Sequence, residues 1–117
     1  VSFDGLSTIE QIRNSWPGPF TWLIPALEKT PSWLIGEHST LAVRVSAHPV
    51  VNALCKELGP IVSTSANPAG ENPALSDGQV CSYFGENVDY VIPATIRNDK
   101  NPTEIRDGRT GELIRAS

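Results

Sequence analysis

The stretch IVSTSAN, residues 61–67, sets three hydroxyls, an alanine and an amide directly behind two β-branched apolar residues. Ser63, Thr64, Ser65 and Asn67 offer donors and acceptors suited to phosphate oxygens, a ribose or a carboxylate, and Ala66 is small enough for close approach. A second use of the same groups is local, since such side chains also bond to their own backbone and close a turn. Arg44 is the other candidate. In LAVRVS, residues 41–46, Leu41, Val43 and Val45 alternate with Ala42, Arg44 and Ser46, so a strand of this period turns the guanidinium away from the apolar face.

The surrounding elements must position these groups. STIE, Ser7 to Glu10, has the form of a capping box and predicts a short helix to about Ser15, which WPGP at 16–19 then breaks. FTWLIPA reads as a strand. In HPVVNALCKELG, Pro49 falls at a first helical position, Gly59 at the stop, and Val50, Val51, Leu54 and Leu58 form an apolar stripe. His48 and Pro49 therefore begin a helix and are not proton donors. Helix, glycine, then a strand at Ile61 and Val62 makes a strand–helix–strand unit, which implies a parallel pairing and puts STSAN at the carboxyl end of a strand, where open α/β sheets bind ligands. SDGQ, Ser76 to Gln79, opens a further helix ending near Gly85, and DYVIPA predicts a strand. TEIRDGRTGELIR reads as two short strands around a turn rich in Asp and Gly. The fold class expected is α/β, with polar loops at strand ends.

Composition removes several classes of function. The chain has 117 residues, 39% hydrophobic and 19% charged, and a formal net charge of −4, so one packed core is expected and a broad phosphate-neutralising surface is not. RNA binding is expected to be weak at most. No apolar run approaches the roughly 20 residues that span a bilayer, and no signal-peptide layout is present, which points to the cytoplasm. Cys55 and Cys81 lie in expected helices without metal-ligand spacing and read as reduced core cysteines, and no metal site is expected. His38 has no partner that suggests catalysis. Trp16, Trp22 and Trp33 suit packing better than base stacking.

SWPGPFTWLIPA, LAVRVSAHPVVNALC, IVSTSANPAGENP and NPTEIRDGRTGELIR follow one another with the order and spacing of the YrdC/TsaC-type L-threonylcarbamoyladenylate synthases. The chain resembles the short bacterial form of that family over nearly its whole length. The resemblance implies a YrdC-like twisted mixed sheet flanked by helices. It also implies an activity: L-threonine, bicarbonate or CO2, and ATP are combined into L-threonylcarbamoyladenylate and pyrophosphate, on the way to threonylcarbamoyladenosine in tRNA, with Mg2+ accompanying ATP and the product passing to a tRNA threonylcarbamoyl-transfer complex.

Laid on this sequence, the family pattern aims Arg44 at the threonine carboxylate, for which a planar fork of donors is suited. Its plainer reading is an exposed strand arginine in a surface ion pair. Ser63 and Thr103 match positions facing threonine, Thr103 standing where serine is more frequent. Thr40, Ser65, Asn67, Asn72 and Arg115 match nucleotide-facing positions, Asn67 with turn closure as its other use. No catalytic acid or base is implied. Arg106 and Arg109, beside the expected turn, read as solvated. Family members open with a strand–helix segment carrying a threonine, a lysine–x–arginine pair and further ATP-binding groups, and nothing before SWPGP supplies them. Residues 1–117 are thus expected to be the C-terminal part of a single YrdC-like domain, about its first third missing, without catalysis of its own. A non-catalytic nucleotide- or RNA-binding YrdC-like domain is the alternative.

Overall fold

The computed structural model describes residues 1–93 and 103–116. Its elements are α1 (Ile9–Ser15), β1 (Phe20–Pro25), α2 (Ser32–Ile35), β2 (Thr40–Val43), α3 (Pro49–Leu58), α4 (Asp77–Phe84), β3 (Glu104–Asp107) and β4 (Leu113–Arg115), with a 3-10 turn at Gly85–Asn87. The strands form one mixed sheet in the order β2-β1-β3-β4. β1 runs antiparallel to β2 and parallel to β3, and β3 runs antiparallel to β4. The chain divides into two compact units, residues Val1–Ala53 with Thr103–Ser117, and residues Leu54–Pro102, the boundary falling within α3.

In the first unit, alternation along β1 decides the two faces of the sheet. Trp22 and Ile24 are buried with Leu6 and Ile12, and Val1, Trp16, Phe20 and Val43 pack against them. The register places Val43 opposite Trp22 and Leu41 opposite Ile24, so the apolar side of β2 lies on this same face. α1 adds Ile12, fully buried. The capping box does not form at its start: Thr8 is the N-cap residue and makes no side-chain cap bond. The buried Thr8 hydroxyl donates instead to the carbonyl of Gly108, tying the helix to the turn after β3. Gly108 is needed there because a Cβ would meet the Leu23 carbonyl oxygen at 2.6 Å, while its own N–H donates to that oxygen at 2.8 Å.

Three strand expectations are corrected. β2 stops at Val43, so Val45 leaves the ladder and stands 46% exposed. Ile61 and Val62 form no strand, and both are exposed. A strand exists only by pairing, and nothing in the second unit pairs with them, so the expected parallel unit is absent among the described residues. Residues 89–93 are likewise not in a strand, and Ala94, which ends that expected segment, lies outside the described residues. The predicted hairpin near the C-terminus does form, as β3 and β4, with Gly111 at φ 79° in its turn.

The second unit holds the C-terminal half of α3 and all of α4. Val50, Val51 and Leu54 are half-buried along the expected stripe of α3, but Leu58 is exposed. At α4 the Ser76 hydroxyl accepts from the Gln79 N–H at 3.1 Å. Gln79 Oε1 accepts from the N–H of Leu75, not of Ser76, at 2.6 Å. Cys55 is half-buried and Cys81 exposed, both free thiols, so neither is a core residue. Trp22 is buried and Trp16 half-buried, as packing requires, but Trp33 is 76% exposed and packs into nothing among the described residues.

Candidate functional site

The face of the sheet opposite Trp22 and Ile24 gathers most of the candidate residues of the first unit. Side chains alternate along a strand, so Thr21, Leu23 and Pro25 share that second face. Thr40 is paired with Pro25 and Ala42 with Leu23, which puts both on it. Arg44 lies one residue past the end of β2 and is exposed. Ile105 is paired with Thr21 on one side and with Arg115 on the other, so Arg115 belongs to this face, as does Thr103 by its spacing from Ile105. Thr40 and Arg115, far apart in sequence, are brought to this face by strand register, and Thr103, just before β3, is joined to Arg115 by a hydrogen bond.

Thr103 is the best-anchored member. Its hydroxyl lies 2.7 Å from the hydroxyl of Thr21 across the β1–β3 pair, and its carbonyl accepts from Arg115 Nη2 at 2.6 Å. Arg115 therefore spends one of its five N–H donors on the adjoining strand and keeps the others. Arg44 is exposed and has neither an ion pair nor a side-chain hydrogen bond among the described residues. Its carboxylate-binding capacity is unspent. Thr40 is half-buried at the start of β2.

Of the two hairpin arginines, Arg106 departs from the solvated position expected of it. Arg106 is half-buried, with Nε 2.7 Å from Glu104 Oε1 and Nη1 donating to the carbonyl of Gly111 at 3.2 Å. It lies on the core side of β3, paired with Trp22, and braces the hairpin. Arg109 is exposed, as expected, with a loose contact of 3.6 Å to Asp107.

Ser63, Ser65, Asn67 and Asn72 belong to the second unit. With no strand before it, STSAN is a loop and not a strand end. Ser63, Thr64 and Ser65 are exposed, and none of their hydroxyls has a described partner, so they do not close the turn. Closure falls to the backbone and to Asn67. The Asn67 N–H donates to the Ser65 carbonyl at 3.1 Å, its Nδ2 to the Pro68 carbonyl at 3.1 Å, and Ala74 N–H to the Ala66 carbonyl at 2.8 Å. Asn67 Oδ1 is buried without a hydrogen bond among the described residues. Asn72 is exposed. His48 behaves as a helix-starting residue, its Nδ1 accepting from the Val50 N–H at 3.2 Å.

Thr21 is the functional candidate that sequence reading passed over. The alternation around Trp22 gave its face, but its contact with Thr103 spans 82 positions and follows only from the parallel pairing of β1 with β3.

Comparison with known proteins gives a consistent set of matches. Residues 7–117 match the Sua5/YciO/YrdC family model, described as "Telomere recombination". The chain is 50% identical over 110 residues to a threonylcarbamoyl-AMP synthase of Nitrosococcus oceani, covering 93% of this chain and 60% of that protein. It is 50% identical to the synthase of Halorhodospira halophila, covering 91% of this chain and 56% of that protein. The chain thus spans little more than half the length of these relatives. Among solved structures it resembles P. abyssi Sua5 complexed with L-threonine, with a TM-score of 0.78 and 27% identity over 92% of this chain and 34% of that one. A doubly substituted P. abyssi Sua5 gives a TM-score of 0.82 and 26% identity over 96% of this chain and 37% of that one.

Proposed function

The chain belongs to the Sua5/YciO/YrdC family, and on that basis we propose that it is the C-terminal part of a single threonylcarbamoyl-AMP synthase domain. The full-length protein, meaning this chain with the portion its relatives have beyond the match, joins L-threonine, bicarbonate or CO2, and ATP into L-threonylcarbamoyladenylate and pyrophosphate. The observation that carries this reading is the gathering of Thr40, Thr103 and Arg115 on the sheet face opposite the core, with the exposed Arg44 one residue past the end of β2. The core supports the partial-domain reading, because only Leu6, Ile12, Trp22 and Ile24 are buried apolar residues among those described. A closed domain of this length hides most of its apolar side chains.

In this reading the threonine amine, freed of its proton, adds to CO2. An oxygen of the resulting carbamate then attacks the α-phosphorus of ATP, and pyrophosphate leaves. The protein's task is to hold the reactants in line and balance their charge. Arg44 holds the threonine carboxylate, and Ser63 and Thr103 contact the amino acid. Thr40, Ser65, Asn67, Asn72 and Arg115 serve the nucleotide. No residue is assigned as a general base. Mg2+ accompanies the triphosphate, and no protein ligand is assigned to it, since no group of three or more His, Cys, Asp or Glu among the described residues could hold a metal. The product passes to a tRNA threonylcarbamoyl-transfer complex in the cytoplasm. No helix among the described residues is long and apolar enough to cross a membrane.

The unspent hydroxyl of Ser65 gives one test. Ser65→Ala in the full-length protein weakens ATP binding by up to about tenfold, from the about 0.5–1.5 kcal/mol expected of one hydrogen bond. Calorimetric titration with ATP measures it. Unchanged affinity returns Ser65 to a plain loop residue. Pyrophosphate release, followed beside the titration, separates a synthase from a domain that only binds nucleotide.

A further inference from the structure

We propose that Thr21 is a positioning residue for the amino-acid subsite, acting by fixing the side chain of Thr103. This inference rests on the assignment of Thr103 to threonine made above. The two hydroxyl oxygens are 2.7 Å apart, both residues are half-buried, and Thr21 is paired in β1 with Ile105 of β3, two residues after Thr103. The carbonyl of Thr103 is fixed separately by Arg115 Nη2. One residue is thereby held at two points: its backbone by a guanidinium from β4 and its side chain by a hydroxyl from β1.

The consequence for a ligand is specific. A hydroxyl carries one donor and two acceptor positions, and the bond to Thr21 uses one of the three. Two remain, in directions set by that bond, on the side of the sheet that also carries Thr40. Without Thr21 the Thr103 hydroxyl rotates among its staggered positions, and a ligand must select the productive one. Thr21 touches no substrate in this arrangement and exerts its effect through Thr103 alone.

A merely structural role is the competing account, because cross-strand threonine pairs also stabilise sheets. That role would appear as lower thermal stability with unchanged substrate dependence. In the full-length protein, Thr21→Val, which keeps the shape and removes the hydroxyl, is expected to raise KM for threonine about fivefold, the worth of one hydrogen bond. KM for ATP stays within about twofold. Thr21→Ser restores threonine KM to within about twofold. Thr103→Val raises threonine KM at least as much, and the double variant Thr21→Val with Thr103→Val is no worse than Thr103→Val alone. Should valine at position 21 prevent folding, Thr21→Ala set against Thr21→Ser gives the same comparison.

An unchanged threonine KM in the hydroxyl-free variant, beside a raised one in Thr103→Val, overturns the positioning role and leaves the Thr103 assignment standing. Additive effects in the double variant overturn it as well. If Thr103→Val itself leaves threonine KM unchanged, the Thr103 assignment fails and the inference falls with it.

Discussion

Replacing Arg44 by alanine in the full-length protein is expected to weaken threonine binding by roughly 10- to 150-fold while leaving ATP binding nearly unchanged. The loss corresponds to the about 1.5–3 kcal/mol of a hydrogen bond to a charged group. Arg44 stands just past β2, is exposed, and has no carboxylate partner among the described residues. Its removal therefore breaks no described ion pair, and a change in threonine affinity reports on the ligand. Arg44→Lys recovers only part of the loss, because an ammonium keeps the charge without the two-pronged geometry. Equal weakening of threonine and ATP would move Arg44 out of the amino-acid subsite, as would unchanged threonine affinity in a folded variant.

The second large effect is on stability. Trp22 is 1% exposed, and its indole N–H donates to the Ser15 hydroxyl at 2.9 Å. That hydroxyl in turn donates to the Ile12 carbonyl at 2.6 Å, so one tryptophan locks β1 to the end of α1. Trp22→Ala empties the largest side chain from a core that has few others, and large-to-small changes of this kind cost about 3–5 kcal/mol. Whole domains are stable by only about 5–15 kcal/mol, so the variant is expected to unfold at a markedly lower urea concentration. Trp22→Phe keeps the ring packing, loses the N–H donor and falls between the two. A loss below about 1 kcal/mol on Trp22→Ala would mean that the sheet is not organised around this residue.

Local signals in the sequence were legible where they were also sufficient. The break at WPGP, the alternation of FTWLIP, the helix opened by His48 and Pro49, and the hairpin about Asp107 and Gly111 all appear, because each depends on near neighbours. Ile61 and Val62 have strand-forming side chains, but a strand needs a partner, and their exposure shows that none is provided among the described residues. The capping box at Ser7 lost to a tertiary bond, the Thr8 hydroxyl finding the Gly108 carbonyl 100 positions away. Cys81 and Trp33 were read as packed by residue type, and burial is decided by neighbours that residue type does not name.

The candidate site divides in the same way. The outward placement of Arg44 could be read from period-2 alternation, and the polar character of STSAN from its composition. That Thr40, Thr103 and Arg115 share one face could not be read so, because it requires the order β2-β1-β3-β4 and the registers of three pairings. The resemblance to known synthases named these residues one by one, and the sheet supplies a physical reason for their grouping. Thr21 needed the sheet outright.

The central claim is that this chain supplies part of a threonylcarbamoyl-AMP synthase site. Its most direct test is product formation from L-threonine, bicarbonate and ATP, with threonylcarbamoyl-AMP and pyrophosphate both quantified, for the full-length protein and for residues 1–117 alone. Threonine- and bicarbonate-dependent formation of both products is expected of the full-length protein, and little or none of the chain alone. No product from a folded full-length protein would contradict the synthase assignment, and robust turnover by residues 1–117 would contradict their being only part of the domain.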